Sequence, residues 1–539
     1  MPHVRPCWRS FTVVNDGNCS ADARFPNGEM RIVSVNPGHD GAVVLVEDGR
    51  LVYSIEAEKD SFSRHSPIST ATLVHALTLA GEIPDAIAIG GWHGGLSGTG
   101  VGYFGLEPPV VDELKLFGRS TLVVSSSHER SHVFMATGMS PDAPLEECIV
   151  LVWEGQLGAF YHWQADGSVI ERIHVLSEPG NRYSALYSLA DPAFEGSVPR
   201  LDFAGRLMAL EGFADGQANA AERAVVEALI RPERLLPFDK PAFAGTPVFD
   251  IGVHEPPVHR TAAFLSTRLF EIFHDAAERH LPRGLPLVIS GGCGLNCDWN
   301  RRWAESSLFS SVFIPPCTND SGCAVGTAVD AQVALGGPCR LEWSVDAGLD
   351  FVHDAEPDSS WQSAPLDCEE VASRIVAGSI VAWVQGRSEI GPRALGHRSL
   401  LASALDRQSH ARLNAIKRRE AYRPIAPSCL SEELGLWFTP SRADPYMLFF
   451  ADVTTDALPA ITHVDGSARV HSVGPTDRSG LRPLLEALSR RTGYGVVCNT
   501  SLNYPGLGFI NRASDLFVFA AERGIDDVVI GSRAYARRR

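Results

Sequence analysis

A chain of 539 residues is too long for one ordinary core, so two or three domains are expected. Hydrophobic residues make up 45% and charged residues 21%, the balance of a packed soluble protein, which excludes collagen, coiled coil and disorder. The net charge of -17, from 47 basic and 64 acidic residues, argues against nucleic acid or an anionic membrane as the principal partner, and no apolar run approaches the ~18 to 20 residues of a membrane span. Eleven cysteines, odd in number and without a CxxC framework, predict a cytoplasmic protein without disulfides.

Residues 1–29 lack helical or strand periodicity and an apolar leader core, and read as a loose N-terminal extension. Strands are then predicted over 31–36, 42–46 and 51–55, joined by the turns Pro37-Gly38-His39-Asp40-Gly41 and Glu47-Asp48-Gly49. The same grammar returns at 148–153, 157–163 and 168–175, which suggests an internal duplication. Paired three-strand openings are the layout of the actin, sugar-kinase and Hsp70 superfold, in which two lobes close on a nucleotide. Ala-rich helical sequence follows from 183 to 280, interrupted near 231–259, and a strand over 286–290 runs into Gly291-Gly292-Cys293-Gly294-Leu295-Asn296. Glycines directly after a strand let the backbone approach a phosphate or ribose. The irregular stretch near 345–367 reads as a linker, so the expected units are 30–345 and 368–539, with 346–367 between them.

Two clusters carry chemistry. His128 and His132 stand four residues apart, on one face if the segment is helical, and Asp320 and Glu154 each follow a predicted strand. Two imidazoles with carboxylates suit Fe(II), Mn or Zn, whereas Cys293 and Cys297 have the wrong spacing for a zinc knuckle. Between Arg387 and Arg423 there are nine Lys or Arg against three acids, an excess of six positive charges in an acidic chain. Interleaved with Gly386, Gly391, Pro392, Gly396 and Pro424, this run suits a shaped site for a nucleotide or an acyl phosphate.

Together with Glu56-Ala57-Glu58, Gly205-Arg206-Leu207-Met208-Ala209-Leu210, Asn319-Asp320-Ser321-Gly322, His463-Val464-Asp465-Gly466 and Cys498-Asn499-Thr500-Ser501, these motifs make the chain resemble the O-carbamoyltransferases of natural-product biosynthesis. That family includes the nodulation-factor, cephem, aminocoumarin, aminoglycoside and ansamycin enzymes. The resemblance implies an α/β protein with a duplicated actin-like (Kae1/TsaD-like) N-terminal domain and a YrdC/Sua5-like C-terminal domain. In the latter, ATP with Mg2+ and carbamoyl phosphate would give carbamoyl adenylate. Lys417, Arg423 and Arg469 are then phosphate-binding candidates, Arg387 lies in the same basic motif, and Asn499 and Ser501 would line the nucleotide site. The adenylate would next meet Gly291, Gly292 and Asn296 in the N-terminal cleft, beside a divalent metal, Fe2+ foremost, on His128, His132 and Asp320. Glu154 stands where the family pattern has Asp and ranks below these three. His39 is the candidate base and Asp40 the acceptor-orienting carboxylate.

The expected partner is a small-molecule hydroxyl, with an ansamycin macrolactam as the first guess. A sugar-kinase-like phosphotransferase leaves the basic C-terminal cluster unexplained, threonylcarbamoyl transfer to tRNA fits poorly with the acidic charge, and a non-catalytic scaffold would need neither site.

Overall fold

A computed structural model describes residues 30–91, 101–141, 147–164 and 169–538; the expected extension, 1–29, lies outside these residues. The first lobe holds β1 (Arg31–Asn36), β2 (Ala42–Glu47), β3 (Arg50–Glu56), α1 (Thr70–Ala80), β4 (Ala86–Gly90), β5 (Val110–Leu116), β6 (Arg119–Ser126) and α2 (His128–Met139). Its six-stranded sheet runs β3-β2-β1-β4-β6-β5. The β2–β3 turn is built on Asp48 and Gly49, both at positive φ, which matches the twist of a tight hairpin.

The second lobe holds β7 (Cys148–Trp153), β8 (Gly158–Trp163), β9 (Val169–His174), the helices α3 (Pro179–Ala190), α4 (Leu201–Glu211), α5 (Ala220–Ile230) and α6 (Pro256–His280), then β10 (Leu287–Ser290), α7 (Cys297–Glu305), β11 (Val312–Phe313) and α8 (Cys323–Ala334). Its sheet order is β11-β10-β7-β8-β9, with antiparallel pairing in the meander and parallel pairing of β7, β10 and β11. Read outward from the meander, β3-β2-β1-β4-β6 and β9-β8-β7-β10-β11 are the same arrangement, and α2 and α8 follow the last strand of each. The duplication expected from the repeated strand grammar is present, and the N-terminal body has the actin-like layout. Central strands such as β7, CIVLVW, are buried at every position, as strands covered on both faces must be.

The C-terminal body contains β12 (Trp361–Pro365), α9 (Cys368–Val376), β13 (Val381–Val384), β14 (Arg398–Ser403), α10 (Arg407–Ile416), β15 (Ala426–Leu430), α11 (Leu434–Trp437), β16 (Phe438–Thr439), β17 (Phe450–Val453), β18 (Ser467–Arg469), β19 (His471–Val473), α12 (Leu481–Thr492), β20 (Val496–Ser501), α13 (Ala513–Arg523), β21 (Asp527–Ile530) and β22 (Arg533–Arg537). Its main sheet has eight mixed strands, β12-β22-β21-β13-β14-β20-β15-β19. The expected linker is corrected at its end: β12 falls inside 346–367 and pairs along its whole length with β22, because its edge position tolerates Pro365 and polar, exposed residues. Earlier in the same stretch, Val352 N–H bonds to Asn511 O, so this segment is stitched to the C-terminal body.

The two bodies are docked, and family motifs do the docking. Gly391 N–H donates to Glu56 Oε1 at 2.5 Å, while Lys59 Nζ donates to Gly391 O at 2.8 Å. His463 Nε2 lies 3.0 Å from Ala209 O, Asn300 Nδ2 donates to Leu448 O, and Arg301 makes a two-point ion pair with Asp452.

Candidate active site

α2 starts where the Ser127 hydroxyl accepts the Arg130 N–H at 3.0 Å, and helical pitch then places His128 and His132 one turn apart on one face. The helix is fixed in rotation. Arg130 Nε donates to Asp330 of α8 at 2.8 Å, and Glu129 accepts from the Tyr161 hydroxyl at 2.6 Å and from Gly105 N–H at 2.9 Å. α8 comes unusually close because Gly326 has no side chain; a Cβ there would lie 1.8 Å from Ser131 O. This crossing delivers Asp320 and Cys323, at the start of α8, to the two imidazoles.

His128 Nε2 and His132 Nε2 are 3.1 Å apart. Asp320 Oδ1 is 3.4 Å from His132 Nε2, and its Oδ2 is 3.7 Å from His128 Nε2. Metal–nitrogen bonds of about 2.1 Å set neighbouring ligand atoms about 3.0 Å apart at right angles and about 3.4 Å apart in a tetrahedron; the 3.1 and 3.4 Å spacings fall in that range and the 3.7 Å spacing lies a few tenths of an ångström beyond it. Burial holds the pKa of His128 down at about 3, leaving a neutral imidazole with its lone pair. Burial alone would push Asp320 up, but His128, His39 and His132 more than reverse this and hold it well below the carboxylate range. Two imidazoles and an ionised carboxylate in a buried cluster fit a borderline divalent metal.

His39 and Asp40, on the β1–β2 turn, join this cluster. His39 Nδ1 is 3.0 Å from Asp40 Oδ2 and 3.4 Å from Asp320 Oδ2, and Asp40 Oδ1 is 2.8 Å from His65 Nδ1. The His39 side chain remains 41% exposed, so an acceptor can reach it. Burial opposes its charge, yet Asp320 and Asp40 outweigh burial and push it up to about 9.

The second cluster forms where the C-terminal body meets the N-terminal lobes. Burial, Arg419, Arg64 and Arg423 all press the Lys417 ammonium well below its ordinary pKa. Burial together with Arg469, Arg64 and Arg423 does the same to Arg393, and burial with Arg423 and Arg469 to Arg419. Guanidinium groups stay charged regardless. Six cations therefore press on one another with Glu420 as the acid that relieves Arg423 and Arg419. Such a cluster of cations suits a polyanion.

One short stretch touches both clusters. Ser290 Oγ is 2.8 Å from His132 Nδ1, and Leu295 O accepts from Arg393 Nη2 at 2.8 Å. Five residues separate those positions, so their backbones are at most about 18 Å apart.

Family models for the carbamoyltransferase N-terminus and C-terminus match residues 264–329 and 372–537. The 3'-hydroxymethylcephem-O-carbamoyltransferase of Amycolatopsis lactamdurans is 48% identical over 519 residues, 94% of this chain and 99% of that protein. The chain belongs to the carbamoyltransferase family. Nodulation protein U of Rhizobium tropici is 35% identical over 90% of this chain and 93% of its own length. Among solved structures, the activator of 2-hydroxyisocaproyl-CoA dehydratase from Clostridium difficile with bound ADPNP covers 56% of the chain at 13% identity and a TM-score of 0.32.

In this carbamoyltransferase the residues expected from sequence divide into two groups. His39, Asp40, His128, His132 and Asp320 converge, and so do Lys417, Arg423 and Arg469. Arg387 does not join them; its guanidinium donates to Gly348 O at 2.8 Å and Ala347 O at 2.9 Å and ties down the preceding segment. Glu154 is near but turned aside: its Oε1 accepts the Leu157 N–H at 2.7 Å, closing the β7–β8 turn, and burial and Asp320 push it up to about 7. Gly291, at φ 102, abuts the Trp153 carbonyl, where a Cβ would sit 2.3 Å away, while Gly292 faces open space. Asn296 Oδ1 caps α7 through the Asp298 and Trp299 N–H groups, and its buried Nδ2 has no hydrogen-bond partner among the described residues. Asn499 Nδ2 donates to Ala394 O and Ser428 Oγ, leaving its buried Oδ1 unpaired, and Ser501 accepts from Lys417 Nζ.

Sequence reasoning counted Arg393 and Arg419 within the basic run without giving either a role of its own, and passed over Arg64, His65 and Cys323. Arg393 was signalled by its place in Gly391-Pro392-Arg393, and Cys323 by its position three residues after Asp320.

Proposed function

We propose that this protein is an ATP-dependent O-carbamoyltransferase working through carbamoyl adenylate at two sites. The observation that carries the reading is the group of buried Lys417 and half-buried Arg393, Arg419, Arg423 and Arg469, which touches, through Arg393, the loop that leads to the imidazole cluster. Activation belongs to the C-terminal body, read as a YrdC-like domain using ATP with Mg2+. There, water removes the phosphoryl group of carbamoyl phosphate, and the released carbamate oxygen displaces pyrophosphate from the α-phosphorus of ATP. The cations hold the phosphates through both steps. Transfer belongs to the N-terminal cleft, where the loop 291–296 receives the adenylate. The acceptor hydroxyl attacks the carbamoyl carbon, AMP leaves, and the hydroxyl proton goes to His39, which Asp40 orients.

His128, His132 and Asp320 would hold a divalent ion, Fe2+ foremost. When bound it supplies Lewis-acid polarisation of the carbamoyl group and offsets the Asp320 charge that otherwise keeps His39 protonated.

The acceptor we favour is a hydroxymethyl group on a cephem, on the strength of the 48% identity to an enzyme named for that substrate. An ansamycin macrolactam hydroxyl, expected from the turn motifs, is the second candidate. Mass analysis of products from ATP, carbamoyl phosphate and both alcohols tests this. Carbamoylated cephem with AMP and pyrophosphate is expected. A phosphorylated alcohol, or no carbamoylated product from either acceptor, would overturn the reaction.

A further inference from the structure

We propose that Cys323 completes the metal site of the N-terminal cleft as a fourth protein ligand, through its sulfur. This inference rests on the metal reading above. Cys323 Sγ lies 3.5 Å from His132 Nε2, and one donor atom each of His128, His132, Asp320 and Cys323 lies within 4.8 Å of the other three. With a metal–sulfur bond of about 2.3 Å and a metal–nitrogen bond of about 2.1 Å, a right-angle to tetrahedral site separates S and N by about 3.1 to 3.6 Å. The observed separation falls within that range.

The fold explains the placement. Asp320–Gly322 form one turn of 3-10 helix directly before α8, so Asp320 and Cys323, three residues apart, are stacked on one side of that turn. Cys323 is the buried first residue of the 12-residue helix α8, so its sulfur is held at the cluster by the start of a packed helix. The competing oxygen ligand is engaged elsewhere: Glu154 Oε1 is held by Leu157 N–H, and the same carboxylate takes a hydrogen bond from Tyr103. On the other flank, a tautomer in which His132 Nδ1–H donates to Ser290 Oγ aims the Nε2 lone pair at the sulfur and the carboxylate.

Ligation would proceed with loss of the thiol proton to solvent, one sulfur–metal bond forming and one S–H bond breaking. The set of two nitrogens, one oxygen and one sulfur is softer than an oxygen-rich one. It favours Fe2+, Co2+ and Zn2+ and disfavours Mg2+.

Cobalt tests the assignment in the full-length protein. Metal-free protein is titrated with Co2+ while visible and near-ultraviolet absorption are recorded, for the native chain and for Cys323→Ser, Cys323→Ala and His128→Ala. The native protein should bind one Co2+ in the cleft and show a thiolate-to-cobalt charge-transfer band in addition to the visible ligand-field bands. Cys323→Ser should keep the visible bands, lose the charge-transfer band and bind cobalt at least about tenfold more weakly. His128→Ala should lose both sets, which ties the band to this cluster and not to another cysteine. Cobalt bound in the native protein without a charge-transfer band, or a band that survives Cys323→Ser, would overturn the sulfur ligand while leaving the metal reading in place. No cobalt bound by the folded native protein would overturn the metal reading itself. Cys323→Ala serves if the serine variant does not fold, and circular dichroism of each variant reports folding.

Discussion

His39 and Asp40, His128 and His132, and Asp320 come from three separate places in the chain, and their value lies in being a few ångströms apart in a largely dry pocket. Replacing His128 or His132 with Ala removes one imidazole from the shell, and each variant is expected to lose bound metal and carbamoyl transfer. Elemental analysis of the folded variants checks this; unchanged metal content in both would withdraw the site. His39 has a different task, since its exposed edge meets the acceptor. His39→Ala should slow transfer to the alcohol by about 10²-fold or more, the usual scale for a general base, while pyrophosphate release from ATP continues at its normal rate. A near-normal transfer rate would make His39 a structural turn residue.

At the scale of elements, the site depends on how tightly α2 and α8 cross. Gly326 brings α8 against the backbone of α2, and Gly138 of α2 faces Val329, where an added Cβ would lie 2.8 Å from a methyl group. The imidazoles reach Asp320 because glycine at 326 lets the two helix backbones approach at that point. Gly326→Ala forces a Cβ onto a carbonyl oxygen that cannot yield without moving α2, so a loss of about 1 to 3 kcal/mol is expected, with weaker metal binding alongside it. Gly216, with open space around its Cβ position, gives the matched control. Denaturant melts of Gly326→Ala and Gly216→Ala should differ in midpoint; equal midpoints would show that the crossing can relax. The crossing was not legible in the sequence, because small residues in CAVGTAVDAQVA mark a helix packed on many sides without saying which neighbour it meets.

Across the whole molecule, the cation cluster lies mostly on the C-terminal body, with Arg64 added from the first lobe, the imidazole cluster lies in the N-terminal body, and the stretch 290–295 touches both. If activation and transfer are separate, Arg423→Ala should abolish adenylate formation yet still carbamoylate the acceptor when given preformed carbamoyl adenylate, since each lost guanidinium removes a charge-assisted phosphate contact. Lys417→Ala should behave likewise, with the added loss of its anchor to Ser501 and Asn503. His132→Ala should do the reverse, making adenylate and stopping there. Pyrophosphate release and carbamoylated product, measured for each variant with and without added adenylate, distinguish the schemes. Loss of both half-reactions in a folded Arg423→Ala protein would favour a single shared site.

Patterns local in the chain were readable before any fold was known. Strand-length apolar runs around tight glycine turns predicted the two meanders, and the i, i+4 spacing of His128 and His132 predicted a shared face if the segment is helical, because both follow from backbone geometry within a few residues. The excess of basic residues between Arg387 and Arg423 likewise predicted an anion site. Which of those cations face the ligand was a tertiary decision. Arg407, Arg412 and Arg418 point to solvent, Arg387 and Arg398 are spent on backbone carbonyls and Asn511, and Arg393, Lys417, Arg419 and Arg423 turn inward to meet Arg64 and Arg469 from elsewhere. Cys323 became a candidate ligand only through a 3-10 turn and a glycine-mediated helix crossing, and Glu154 was drawn aside by a turn N–H that no spacing rule announces. Local sequence set which elements form; long-range packing between the docked bodies set which side chains share a site, because burial and hydrogen-bond satisfaction are settled among residues hundreds of positions apart.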